Sequence, residues 1–187
     1  MSSLDLDICY LSASEALEKF KNKSLSPVEL LNETIKRIEN VNPKINAFNF
    51  FRFEEALKEA KKSELKYTED KSTLPLEGLP LAIKDEVNVK GHPNKNGSLI
   101  YKDVIAEKTD VDVESLVSSG AIIHARTTNP EFSLTSFCHS KVNGVTRNPW
   151  NLDMTPGGSS GGSAAALASG CAMLTTGSDI GGSIRIP

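Results

Sequence analysis

Residues 155–187 read TPGGSSGGSAAALASGCAMLTTGSDIGGSIRIP, two glycine-embedded serine sites joined by a run of small residues. Ser159 lies within Gly157-Gly158-Ser159-Ser160-Gly161-Gly162, and Ser183 follows Ile180-Gly181-Gly182. Glycine lets consecutive main-chain N–H groups converge on one point with no side chain in the way, and it enters positive φ freely. Taken alone, a Gly/Ser tract is most simply a flexible linker. Here residues 163–169, SAAALAS, follow at once and form helix strongly. Gly170 stands where a helix C-cap belongs, and residues 171–174, CAML, read as a buried strand. Linkers do not alternate with ordered elements in this way, so the tract reads as a built site.

A serine hydroxyl is a poor nucleophile until a neighbour takes its proton. No histidine stands out as that base. His92 lies in a turn, Lys90-Gly91-His92-Pro93. His124 lies in an apolar run and reads as a strand histidine with a satisfied ring, and His139 has no acid placed to orient it. No G-x-S-x-G elbow occurs. Lys84 differs from the other lysines, most of which sit on polar helical faces. It ends GLPLAIK (residues 78–84), the most strand-like apolar run of the first half. Burial disfavours the ammonium form and lowers a lysine's pKa, as a base working near neutral pH requires. Asp179-Ile180-Gly181-Gly182-Ser183 could instead be a phosphate-binding turn. There is no Walker pattern and no G-x-G-x-x-G after a strand to support that.

The glycine-serine stretch, with residues 79–91 (LPLAIKDEVNVKG), resembles the amidase signature family, serine hydrolases that use a Ser–Ser–Lys triad. Residues 127–132 (TTNPEF) and 144–151 (GVTRNPWN) resemble the family's connecting segments, and the likeness runs from about Ser12 onward. Lys84, Ser159 and Ser183 lie at the family's usual separations. The resemblance implies that Ser183 is the nucleophile that forms an acyl-enzyme. Ser159 would bridge it to neutral Lys84 through a cis peptide between Gly158 and Ser159. The N–H groups of Ile180, Gly181, Gly182 and Ser183 would form the oxyanion hole. It further implies that Ser160 supports this network, that Arg185 holds the loop in a structural role, and that Ser133 lines the acyl pocket. The implied reaction is hydrolysis of a small-molecule carboxylic amide, with no metal and no cofactor. Two alternatives stay open: the glutamine-hydrolysing subunit of a tRNA-dependent amidotransferase, and a non-catalytic remnant. Such subunits usually carry glutamine where this chain has Ile186, which speaks against the first.

The 187 residues are 39% hydrophobic and 24% charged, enough for one core. With 21 basic and 24 acidic residues, net charge −3 and no basic stripe, nucleic acid is not an expected partner. Cys9, Cys138 and Cys171 are odd in number and lack C-x-x-C, so they read as small buried hydrophobes in a reducing compartment. The first seven residues, MSSLDLD, lack the features of a secretory leader, and no apolar run is long enough for a membrane span. A soluble cytoplasmic protein is expected; its oligomeric state is open.

The fold class expected is α/β: N-terminal helices, then the first part of the family's mixed-sheet core, ending soon after the nucleophile. Residues 1–187 read as one incomplete domain, with a helical segment over 1–70 and the catalytic core from 71 to 187. Ser12-x-x-Glu15 and Ser26-Pro27-Val28-Glu29 are capping boxes, the second with proline at the first helical position. Val28, Leu31, Ile35 and Ile38 form a helical stripe that Asn42-Pro43 is expected to stop. Residues 45–51 read as a short extended piece, 53–65 as a charged surface helix and 66–73 as loop. A strand ending at Lys84, a helix over 112–118 capped by Gly120 and a strand over 121–125 make a β-α-β unit, which predicts parallel pairing. Family members run to more than twice this length, so apolar faces and sheet edges near the chain's end are expected to lie open.

Overall fold

A computed structural model describes residues 6–187. The reading of MSSLDLD falls mostly outside those residues. Short helix α1 (Leu6–Cys9) leads to α2 (Ala13–Lys21) and α3 (Pro27–Ile45). Both capping boxes form. The Ser12 and Ser26 hydroxyls accept from the N–H of Glu15 and Glu29, and each glutamate reaches back to its cap N–H. Helix α3 buries Leu30, Leu31, Thr34 and Ile38, while Val28 and Ile35 pack partly buried against the cluster around Leu31 and Ile122.

Asn42-Pro43 does not stop α3. The helix carries Pro43 inside it and ends at Asn46, whose φ of 49° is left-handed. Proline removes only one donor so near the end of a helix. The Asn46 N–H donates to Asn42 O at 2.8 Å, and the Asn42 side chain accepts from the N–H groups of Ala47 and Phe48. Asparagine therefore guides the chain straight into β1 (Phe48–Phe51).

Helix α4 (Phe53–Thr68) outlasts the expected boundary at residue 65 and is only partly a surface helix. It buries Ala56, Ala60, Ser63 and Tyr67. Its last turn is held by the buried carboxylate of Glu77, which accepts from Ser63 at 2.6 Å and from Lys66 at 2.8 Å. The Tyr67 hydroxyl donates to the main chain of Glu77.

The β-α-β unit forms as read. Strand β2 (Pro80–Lys84), helix α5 (Val111–Ser118) and strand β3 (Ile122–Thr127) follow in order, and β2 pairs parallel to β3. Small two-residue strands β4 (His139–Ser140) and β5 (Gly144–Val145) pair with each other. After α6 (Gly161–Ala168) comes β6 (Leu174–Thr175), parallel to β2. The main sheet is mixed, ordered β1-β3-β2-β6, with β1 antiparallel to β3. Residues 171–173 are not the strand expected there. The Cys171 N–H donates back to Ala166 O at 2.9 Å to close α6, so pairing begins only at Leu174.

Both central strands are buried throughout, so their faces separate by alternation. Leu81 and Ile83 join Val113, Ala121 and Ile123 beneath α5. Ala82 joins Ala125, Ala165 and Ala166 beneath α6, which places Lys84 on the α6 side. Helix α6 approaches closely because it is built of small residues. A Cβ on Gly162 would lie 2.4 Å from Thr128 O, so only glycine fits there. Leu167, Ile184 and Ile186 are exposed, and among the described residues the outer edge of β6 has no strand partner. This agrees with the open faces expected near the chain's end.

His124 on β3 is 0% exposed, and among the described residues neither ring nitrogen makes a hydrogen bond of good geometry, contrary to the satisfied ring expected. Burial holds its pKa down at about 4 despite the main chain of Cys171 and Leu81 nearby. The unfolded chain therefore binds a proton below its ordinary value that the fold refuses. Stability falls as pH drops from about 6.5 towards 4, by about 3 kcal/mol for this group. We expect His124→Leu to remove a share of that size from the difference between urea unfolding at about pH 7 and about pH 4.5. An undiminished difference would assign the acid sensitivity to other groups.

Candidate active site

The end of β2 delivers Lys84 to the middle of the molecule, where its side chain is fully buried. Its main-chain N–H donates to Thr176 Oγ1 at 2.9 Å, tying the strand end to the segment after β6. Nζ meets three acceptors: Ser159 Oγ at 2.8 Å, Ser178 Oγ at 2.8 Å and Glu86 Oε1 at 3.0 Å. Three acceptors match the three donors of an ammonium. Burial nonetheless pushes the pKa of Lys84 below the ordinary lysine value, outweighing the opposing pull of Glu86. The amine is thus surrounded by partners that can hold a proton and by a medium that resists the charge.

Ser159 comes from the loop before α6, and its peptide bond to Gly158 is cis. Ser160 ties the two loops together: its N–H donates to Ser183 O, its hydroxyl donates to Ser178 O, and it accepts from the Ser178 N–H. Behind this, Ser163 on α6 donates to Thr176 O at 2.8 Å and shares a hydrogen bond with Thr127 of β3. Helix, sheet and both serine loops are therefore cross-linked by hydroxyls.

Residues 179–186 wrap around one carboxylate. Asp179 accepts from the N–H groups of Gly182 (2.7 Å), Ile184 (3.0 Å) and Arg185 (3.2 Å), and from the Arg185 guanidinium at 2.8 and 3.0 Å. Arg185, then those amides, hold the Asp179 carboxyl below the usual carboxylate range. Gly182 turns the chain at φ 119°, a conformation that side chains rarely adopt. Arg185 thus clamps the loop through Asp179.

Two expected contacts are arranged differently. The Gly182 N–H is committed to Asp179, which leaves it outside any set of free donors. Among the described residues, the N–H groups of Ile180, Gly181 and Ser183 have no hydrogen-bond partner. Likewise, no hydrogen bond joins Ser159 to Ser183 among the described residues, although both line one cavity of about 580 Å³. The cavity is walled by Phe132, Leu134, Ile180 and Ile186 and floored by Glu86, Ser133, Ser159 and Ser178. The Ser133 hydroxyl donates to Glu86.

A model of the amidase family matches residues 29–187. The chain belongs to the amidase signature family. It is 42% identical over 177 residues to a glutamyl-tRNA(Gln) amidotransferase subunit of Methylacidiphilum infernorum, and 38% identical over 176 residues to the indoleacetamide hydrolase of Bradyrhizobium diazoefficiens. These matches cover 95% and 94% of this chain, and 34% of each relative. A bacterial aryl acylamidase of the same family superposes with a TM-score of 0.90 at 32% identity, covering 95% of this chain and 37% of that one. The chain thus spans little more than a third of the length of the proteins it matches. Among the described residues, no helix is long and apolar enough to cross a membrane.

Within this amidase signature chain, the sequence reading missed three residues at the centre of the cluster: Glu86, Ser178 and Asp179. A signal existed for the first. A buried lysine needs a counter-charge, and Lys84-Asp85-Glu86 offers a carboxylate two residues on. Ser178 and Asp179 stand directly before Ile180-Gly181-Gly182-Ser183. Their roles depend on how the loop folds back, which spacing does not reveal.

Proposed function

We propose that the protein hydrolyses a carboxylic amide to an acid and an amine or ammonia. Ser183 is the nucleophile, Ser159 the proton bridge and neutral Lys84 the base. The observation that carries this reading is a fully buried amine 2.8 Å from Ser159 Oγ, at the floor of the cavity that Ser183 lines. Ser183 Oγ attacks the carbonyl carbon as its proton passes to Ser159 and the Ser159 proton passes to Lys84. Collapse of the tetrahedral adduct breaks the C–N bond, and the relay runs backwards to protonate the departing nitrogen. Water then enters, gives its proton to the same relay and releases the acid.

The reaction requires the Ser183 hydroxyl to come within hydrogen-bond reach of Ser159, and catalytic contacts often tighten only when substrate binds. The developing oxyanion is received by the unpartnered N–H groups of Ile180, Gly181 and Ser183. Loss of one such donor typically costs about 10²–10³ in rate. The apolar wall of Phe132, Leu134, Ile180 and Ile186 suits the carbon skeleton of the substrate.

A second reading is favoured by the relative named as part of an amidotransferase. There the same chemistry releases ammonia from glutamine for a partner subunit. Ammonia release from glutamine and from simple apolar carboxamides, each with and without candidate partner subunits, separates the two readings. Hydrolysis of the simple amides by the protein alone supports an independent amidase. Glutamine turnover that appears only with a partner supports the amidotransferase reading. A folded protein inert in every arm would leave the remnant reading.

A further inference from the structure

The turn after β2 is built to bring a carboxylate back onto Lys84. The Val87 N–H donates to Lys84 O at 3.1 Å, and the buried guanidinium of Arg126 on β3 grips three carbonyls of this turn. It donates to the carbonyls of Lys84 (3.3 Å), Asp85 (2.8 Å) and Val87 (2.5 Å). The backbone so held turns Asp85 away, towards the Gly97 N–H at 3.2 Å, and leaves Glu86 facing Nζ. Ser133, from the loop after β3, donates to the same carboxylate, and Asn129 donates to Ser133 at 2.9 Å. Glu86 is thus fixed from two sides, with a side chain only 19% exposed.

We infer that Glu86 is a positioning residue for the proposed reaction. Its carboxylate aims the Lys84 amine at Ser159 and sets how firmly that amine keeps the proton it has taken. This rests on Lys84 being the base. A relay that must return its proton to a departing nitrogen needs an amine that is neither too dry to accept it nor too basic to release it. Burial alone makes Lys84 reluctant to charge, and the carboxylate 3.0 Å away restores part of that affinity. Glu86 itself stays ionised. Burial would raise its pKa, but hydrogen bonds from Ser133, Ser178 and Lys84 bring it below the ordinary value. The other groups facing Nζ are the hydroxyls of Ser159 and Ser178 and the thiol of Cys138, which burial keeps protonated. Glu86 is therefore the charge that tunes the amine.

The test is the pH dependence of kcat/KM of the intact gene product on a simple carboxamide, compared with Glu86→Gln and Glu86→Asp. Glutamine keeps the shape and removes the charge, so the midpoint of the acid limb should move down by about 1–3 pH units. Aspartate keeps the charge, so its midpoint should stay near the parent's even where the rate falls. Should the glutamine variant not fold, Asn against Asp at position 86 makes the same comparison one methylene shorter. A glutamine variant slower by one factor at every pH, with an unmoved midpoint, would overturn the inference and leave Glu86 a purely structural contact. Lys84→Ala run alongside separates the two failures. Full activity in that variant sinks the lysine base itself, whereas its loss beside an unmoved Glu86→Gln midpoint sinks only the role of Glu86.

Discussion

Lys84→Ala lowers amide turnover by about 10³–10⁴-fold, the upper range for loss of a positioned general base. The variant should still fold, with reduced stability. Removing the amine takes a hydrogen-bond donor from the Glu86 carboxylate, and leaving a buried acceptor short of a partner costs about 1–3 kcal/mol. The residual exposure of Glu86 and its bond from Ser133 soften that cost. Turnover and thermal unfolding measured on the same sample separate the effects, and a folded variant at parental rate would remove lysine from the chemistry. The parent's pH profile follows from the same group. Only the neutral amine accepts a proton, so the rate falls on the acid side as pH drops through the lowered pKa of Lys84. A profile with no acid limb over the whole range in which the protein stays folded would speak against a titrating lysine base.

Ser183→Ala should abolish labelling by a fluorophosphonate and lower turnover by a factor on the order of 10⁴–10⁶, as loss of a nucleophile does in serine hydrolases. The choice of Ser183 over Ser159 is not trivial, because Ser159 is the serine bonded to the lysine. Accessibility favours Ser183 in the proposed reading. Ser159 is 1% exposed with its hydroxyl turned to Nζ, whereas Ser183 is half-buried, with free amides beside it on the cavity wall. On the proposed reading, the more exposed Ser183 is the serine a substrate carbonyl would meet first. Peptide mapping of the labelled protein checks this directly. A label on Ser159, or labelling that persists in Ser183→Ala, would exchange the roles of the two serines.

Much of the frame was legible in the residues. Ser12 and Ser26 fix two helix starts through local hydrogen bonds, and local bonds depend on sequence alone. The apolar run ending at Lys84 read most readily as a buried strand, and the helix before Ala121 pointed to a parallel crossover. Local rules failed where a side chain elsewhere took over a backbone group. Helix α3 ran past Pro43 to a cap where Asn42 takes the amides of Ala47 and Phe48, and Glu77 anchored a helical turn that looked like loop.

By itself, the sequence determined which strand and which loops carry Lys84, Ser159 and Ser183. Strand alternation puts Lys84 on the face of the small-residue helix, and glycine spacing sets a serine at each end of that helix and its following loop. Only the tertiary structure decided how those groups stand towards one another. Glu86 joins the lysine because Arg126, more than forty residues on, bends the intervening turn. Asp179 takes the amide of Gly182 and leaves its neighbours free. Contacts of that kind depend on directions in space between distant segments, and a pattern of residue types along a chain carries spacing but not direction.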